Sequence, residues 1–107
     1  MTGATLAHVI LWEFRPRAGK EKEFEAVYGP AGDWASLFRR SPDFLGTELL
    51  RDRSDPSRYL TLDRWRSRES FEDFRHYHAS EYESLDARCS SLTEQEAPLG
   101  AYETREP

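Results

Sequence analysis

The stretch from Tyr59 to His78 constrains this chain most, because its hydrophobic period changes once and cleanly. Tyr59-Leu60-Thr61-Leu62-Asp63-Arg64-Trp65 alternates as a strand does, and from Ser67 onward the apolar residues fall at helical spacing. A strand, a turn and a long helix follow one another here, with Trp65 at the hinge. The space between such a strand and its helix is the natural place for a ligand. On the helix, Phe71, Phe74, His78, Tyr82, Leu85, Cys89 and Leu92 form one stripe, with Ser67 as its N-cap.

Around this unit the other elements can be placed in order. Leu6 to Arg15 reads as a first strand, with Leu6, His8, Ile10, Trp12 and Phe14 on one face and Ala7, Val9, Leu11 and Glu13 on the other. Both faces are largely apolar, so both call for cover. Pro16 ends the strand, and a charged helix from Glu21 to Tyr28 buries Phe24, Val27 and Tyr28 before Gly29-Pro30 stops it. Asp33 caps a short helix carrying Trp34, Leu37 and Phe38, which Ser41-Pro42 ends. Phe44 to Arg53 is the second strand, Ser54-Asp55-Pro56-Ser57 a hairpin turn, and Arg58 to Arg66 the third strand. Pro98 is expected to begin the fourth, with the last few residues loose.

At 107 residues this predicts a single domain, and the order strand, helix, strand, strand, helix, strand predicts an α+β, ferredoxin-like four-stranded antiparallel sheet with helices on one face. The other face, with Val9, Leu11, Leu60 and Leu62, would be covered by a second copy, giving a homodimer through the sheet. A formal net charge of −5 argues against nucleic acid and anionic membranes as partners. An RNA-binding domain of the same strand order needs aromatics flanked by glycine and basic residues on its third strand, which Tyr59 to Asp63 lacks. One cysteine, Cys89, excludes an intrachain disulfide, and the opening Met-Thr-Gly-Ala-Thr-Leu-Ala-His has neither a basic region nor a long apolar run, so a cytoplasmic protein is expected.

The chain also resembles a known family. Leu62-Asp63-Arg64-Trp65 followed by Ser67-Arg68-Glu69-Ser70-Phe71, together with Val9-Ile10-Leu11-Trp12-Glu13-Phe14 and Ala18-Gly19-Lys20, resembles the antibiotic biosynthesis monooxygenase (ABM) domain of the dimeric α+β barrel superfamily. The resemblance implies a small homodimer with a pocket between sheet and helices. It also implies oxidation of anthrones, quinols or related polyketide aromatics by molecular oxygen, with no metal or organic cofactor. A haem-degrading branch uses an Asn, a Trp and a His at positions that here hold Trp12, Phe74 and Ser84, so that chemistry is disfavoured.

Within this frame His78 is either a buried, hydrogen-bonded histidine or the base that deprotonates a phenol or anthrone, the step that makes the substrate electron-rich enough to react with oxygen. Asp63 shares its strand face with Trp65, Thr61 and Tyr59; it either pairs with an arginine or orients His78 or His8. Trp65 and Trp12 are core residues or flat walls for an aromatic ring, and His8, Phe74 and Tyr82 complete the expected lining. His76 lies about 200° from His78 around a helix, so the pair is not a metal site. A non-catalytic dimeric module that binds a small ligand, or supports another enzyme, is the competing reading.

Overall fold

A computed structural model of the chain describes residues 6–105. Met1 to Thr5, read above for a targeting segment, and Glu106-Pro107 lie outside the described residues. The elements are β1 (His8–Pro16), α1 (Glu21–Tyr28), α2 (Asp33–Phe38), β2 (Phe44–Arg51), β3 (Tyr59–Trp65), α3 (Arg68–Tyr77), α4 (Ala79–Cys89) and β4 (Thr93–Glu103). The four strands form one antiparallel sheet in the order β2-β3-β1-β4, the ferredoxin-like arrangement expected from the sequence. No helix among the described residues is long and apolar enough to cross a membrane.

Alternation along the strands decides what each face carries. Across the sheet Trp12 pairs with Thr61, Ile10 with Asp63 and Phe14 with Tyr59, all on the helix side. Leu11 pairs with Leu62, and Glu13 with Leu60, on the open side. The core on the helix side is a continuous run of rings. Phe24 stacks on Tyr28 at 4.4 Å, Trp34 meets Phe38 at 5.8 Å, and Phe38 meets Trp65 at 5.5 Å and Phe74 at 5.5 Å. Large rings let a chain of this length close its core with few side chains.

Two local features bear on the site. In β2 a bulge between Phe44 and Gly46 is made possible by a φ of +139° at Gly46, a conformation that costs a residue with a Cβ far more. The next residue, Thr47, thereby pairs with Asp63 on the helix side. At the other end of β3, Ser67 caps α3 with a reciprocal box: its hydroxyl accepts from the Ser70 backbone N–H at 3.0 Å, and the Ser67 N–H donates to the Ser70 hydroxyl at 3.1 Å. This fixes the direction of the turn after Trp65.

Three expectations need correction. The long helix is broken: His78, at φ −114° and ψ 28°, separates α3 from α4, although its N–H still donates to Phe74 and its carbonyl accepts from Tyr82, each at 2.9 Å. The fourth strand begins at Thr93, not Pro98. Pro98 sits inside an edge strand beside a bulge, where a missing N–H is tolerated. The C-terminal end is not loose at Thr104, whose N–H donates to the Ala7 carbonyl at 3.0 Å while its hydroxyl accepts from the Ala7 N–H at 2.8 Å.

Candidate functional site

Between the helix face of the sheet and helices α1, α2 and α4 lies a cleft of about 60 Å³. Its inner walls are the buried residues Phe14, Tyr28, Trp34, Phe38, Thr47 and Thr61. Trp12, Asp63 and Tyr82 are half-buried, and the exposed Asp86 and Glu96 stand at the mouth. Each polar member is placed by its element. Asp63 and Thr61 alternate along β3, Tyr82 and Asp86 are one turn apart on α4, and Glu96 on β4 pairs with Phe14 on β1.

Asp63 is the unusual group. Its one hydrogen bond to a side chain among the described residues comes from the Thr47 hydroxyl, 2.6 Å from Oδ1, and it takes part in no ion pair among them. The arginines beside it in sequence are engaged elsewhere, Arg64 with Glu48 at 3.2 Å and Arg66 with Asp43 at 3.0 Å. Pairing of Asp63 with an arginine is therefore not what the fold provides. Burial without a cation raises the Asp63 pKa to about 6, against the opposing pull of the Thr47 hydrogen bond. At neutral pH this is a carboxylate held in poor solvent, the condition that gives a carboxylate useful basicity.

Its neighbours are shifted in the same sense. Burial raises the Tyr82 phenol, and it raises the Glu96 carboxyl, to which the charge of Asp86 adds. Tyr28 is pushed above its ordinary value, mainly by burial. Among the described residues no three His, Cys, Asp or Glu side chains gather as a metal site would require.

The residues singled out in the sequence divide into two groups. Asp63, Trp12 and Tyr82 meet in the cleft. Trp65 and Phe74 do not reach it; Trp65 is fully buried among Phe38, Phe44, Phe71 and Phe74, and its indole N–H has no partner among the described residues. His8 pairs across the sheet with Trp65 and lies 6.2 Å from the Phe71 ring, roughly 13 Å along β1 from Trp12 at strand spacing. His78 is also elsewhere. Its ring packs on Phe74 at 4.9 Å, its Nδ1 lies 3.3 Å from Glu81, and it borders a separate surface groove with Ser41, Asp43 and Tyr77. The expected meeting of His78 with Asp63 and Trp65 in one cavity is thus corrected: the structure places the three apart. Sequence reasoning missed Thr47, Asp86 and Glu96. Asp86 was legible as the residue one turn beyond Tyr82, and Glu96 only once β4 is extended back to Thr93.

The family model for antibiotic biosynthesis monooxygenase matches residues 7–81, from the start of β1 into α4. The chain belongs to the ABM family. No curated protein matches it in sequence. Solved structures share its architecture over nearly the whole chain. A variant of SnoaB, a cofactor-independent oxygenase from Streptomyces nogalater, aligns with a TM-score of 0.71 at 21% identity, over 97% of each chain. A Bordetella bronchiseptica protein described as a candidate antibiotic biosynthesis monooxygenase gives 0.71 at 18% identity, over 97% of this chain and 99% of that one. NE2512 of Nitrosomonas europaea, a protein of unknown function, gives 0.70 at 12%, over 98% and 95%. At such identities the likeness establishes the ABM fold and leaves the chemistry to the site itself. Asp63 and Thr47 lie within the span matched to the ABM model, and Asp86 and Glu96 beyond it.

Proposed function

We propose that this ABM-family chain is a cytoplasmic, cofactor-independent oxygenase for a small hydroxylated aromatic, quinol or polyketide-type substrate, with Asp63 as the general base. The observation that carries this reading is a carboxylate without a cationic partner among the described residues, raised to about pKa 6, facing an aromatic cleft. The kinship with SnoaB supports the class of reaction. In an anthrone-type substrate Asp63 takes one proton from the activated methylene, leaving a delocalised carbanion. That carbanion passes an electron to molecular oxygen, the resulting radical and superoxide combine into a C–O bond, and the peroxide is protonated. Loss of water then leaves the ketone. In sum, one methylene and one dioxygen become one carbonyl and one water, so the substrate supplies all four electrons that reduce oxygen.

Trp12 and Tyr82 offer ring faces to the substrate, and Thr47 holds the carboxylate in one orientation. Trp65 and Phe74 act at one remove, as the packing behind Phe38. A cleft of about 60 Å³ is smaller than the ~150 Å³ cavity that takes benzene, so only the reacting edge of a polycycle enters unless Trp12 or Tyr82 swings aside. The test is oxygen uptake by metal-free protein over a panel of anthrones and hydroquinones, with product masses. Oxygen consumption with replacement of two hydrogens by one oxygen supports the proposal. No uptake above the spontaneous rate across the panel favours the non-catalytic ligand-binding module.

The homodimer belongs to the same proposal. On the open face Leu11, Leu60 and Leu62 are half-buried, and Leu50 and Tyr102 are 42% and 51% exposed. The ion pairs Arg58–Glu13, Arg58–Asp52, Arg15–Asp55 and Arg64–Glu48 stand around them, an apolar centre with a charged rim. Sedimentation is expected to give twice the chain mass for the native protein and the single-chain mass for Leu62→Asp. A native protein that sediments as one chain contradicts a sheet-face dimer.

A further inference from the structure

We infer that the cleft selects aromatic substrates carrying a protonated amine, with Asp86 and Glu96 at its mouth receiving the ammonium group; the inference rests on the proposed aromatic substrate and adds its charge. Every charged side chain lining the cleft is acidic: Asp63, Asp86 and Glu96. Neither Asp86 nor Glu96 forms an ion pair among the described residues, although the chain elsewhere pairs its acids freely. A cation close to the lining is the Arg75 guanidinium, which lies 3.9 Å over the Tyr82 ring and is engaged there.

The walls point the same way. Trp12, Phe14, Tyr28, Trp34, Phe38 and Tyr82 line the space with aromatic rings, and a ring face, with its negative quadrupole, attracts an organic cation as well as an apolar ring. Trp34, 8% exposed, also lines the cleft, and its indole N–H has no hydrogen-bond partner among the described residues, leaving a donor in the wall for the oxygen of a hydroxylated ring. Among the described residues the acids do not gather as a metal ion would require, so the fitting cation is one carried on a substrate, with the edge of its ring in the cleft and its amine at the mouth. A carboxylated aromatic of the same shape would set an anion against three others.

The experiment compares three ortho-substituted phenols of similar size, aminomethylphenol, hydroxymethylphenol and salicylate, by calorimetric titration at neutral pH. It uses the native protein and the Asp86→Asn, Glu96→Gln double variant. Both substituted residues are exposed, so folding is preserved. The amine is expected to bind at least about tenfold more tightly than salicylate, the scale of one cation–π contact with one partly screened ion pair, and the double variant to bring the two within about threefold. Salicylate binding as tightly as the amine overturns the inference. So does an undiminished preference in the double variant, since Asp63 or the net charge of the chain would then be its source. Failure of all three phenols to bind also overturns it. Oxygen uptake on the anthrone and hydroquinone panel is read separately, so the oxygenase reading stands or falls by its own result.

Discussion

Replacing Trp65 with alanine is expected to lower the free energy of unfolding by about 3–5 kcal/mol, the usual range for removing a buried aromatic side chain. Trp65 is the largest side chain with essentially no exposed surface, and its ring lies 5.2–5.5 Å from those of Phe38, Phe44, Phe71 and Phe74. It closes the junction of β3, α2 and α3, so the void cannot be filled by one neighbour moving. Chemical denaturation monitored by circular dichroism measures the loss. Trp65→Phe is expected to cost much less, because it keeps a ring and removes an indole N–H that is buried without a partner among the described residues. A loss below about 1 kcal/mol for Trp65→Ala would mean that this junction is not the centre of the core.

Asp63→Asn is expected to reduce oxygen-dependent turnover by at least ~100-fold while making the protein more stable. The amide keeps an oxygen to accept from Thr47 and has nearly the same volume, so packing is retained and only the charge goes. The sign of the stability change follows from linkage. Asp63 has a folded pKa of about 6, above its ordinary value of 3.8, so the folded state holds the proton more tightly. Its charge therefore costs nothing below pH ~4, costs more as pH rises between ~4 and ~6, and carries its full cost above that, on the order of 2–3 kcal/mol. The native protein should lose stability relative to Asp63→Asn across this window and by a constant amount above it. Comparing the two proteins isolates Asp63 from groups with the opposite sign, such as Asp52 and Asp55, which hydrogen bonds hold below their ordinary values. Urea titrations of both proteins at several pH values measure the difference. Loss of stability in Asp63→Asn at pH 7 would contradict the description of this carboxylate.

The fold was legible because the two central strands, β1 and β3, pair and alternate without a register shift. Tyr59, Thr61, Asp63 and Trp65 face the helices as period-two reading requires, and Ser67 caps the following helix. The break at His78 was not legible. No proline or glycine marks it, and His78 falls on the same apolar stripe whether the helix is continuous or not. The stripe alone placed His78 in a cavity it does not reach. The beginning of β4 was hidden because Glu94-Gln95-Glu96 has none of the β-branched or aromatic residues that announce a strand; an edge strand with little burial needs none. Asp63 was found as a candidate from its face alone. That it stands without a cation depends on what the helices bring opposite it, where Arg75 lies over Tyr82 instead, a placement by distant parts of the chain that spacing does not encode.

The most direct test of the central claim is the pH dependence of oxygen uptake, measured at subsaturating concentration of the best substrate of the panel, for native protein and Asp63→Asn together. If the Asp63 carboxylate is the base, the native rate rises with pH through a midpoint near 6 and then levels, and the variant shows a low rate with no such limb. An Asp63→Asn protein that keeps the native rate and the same limb would contradict the account.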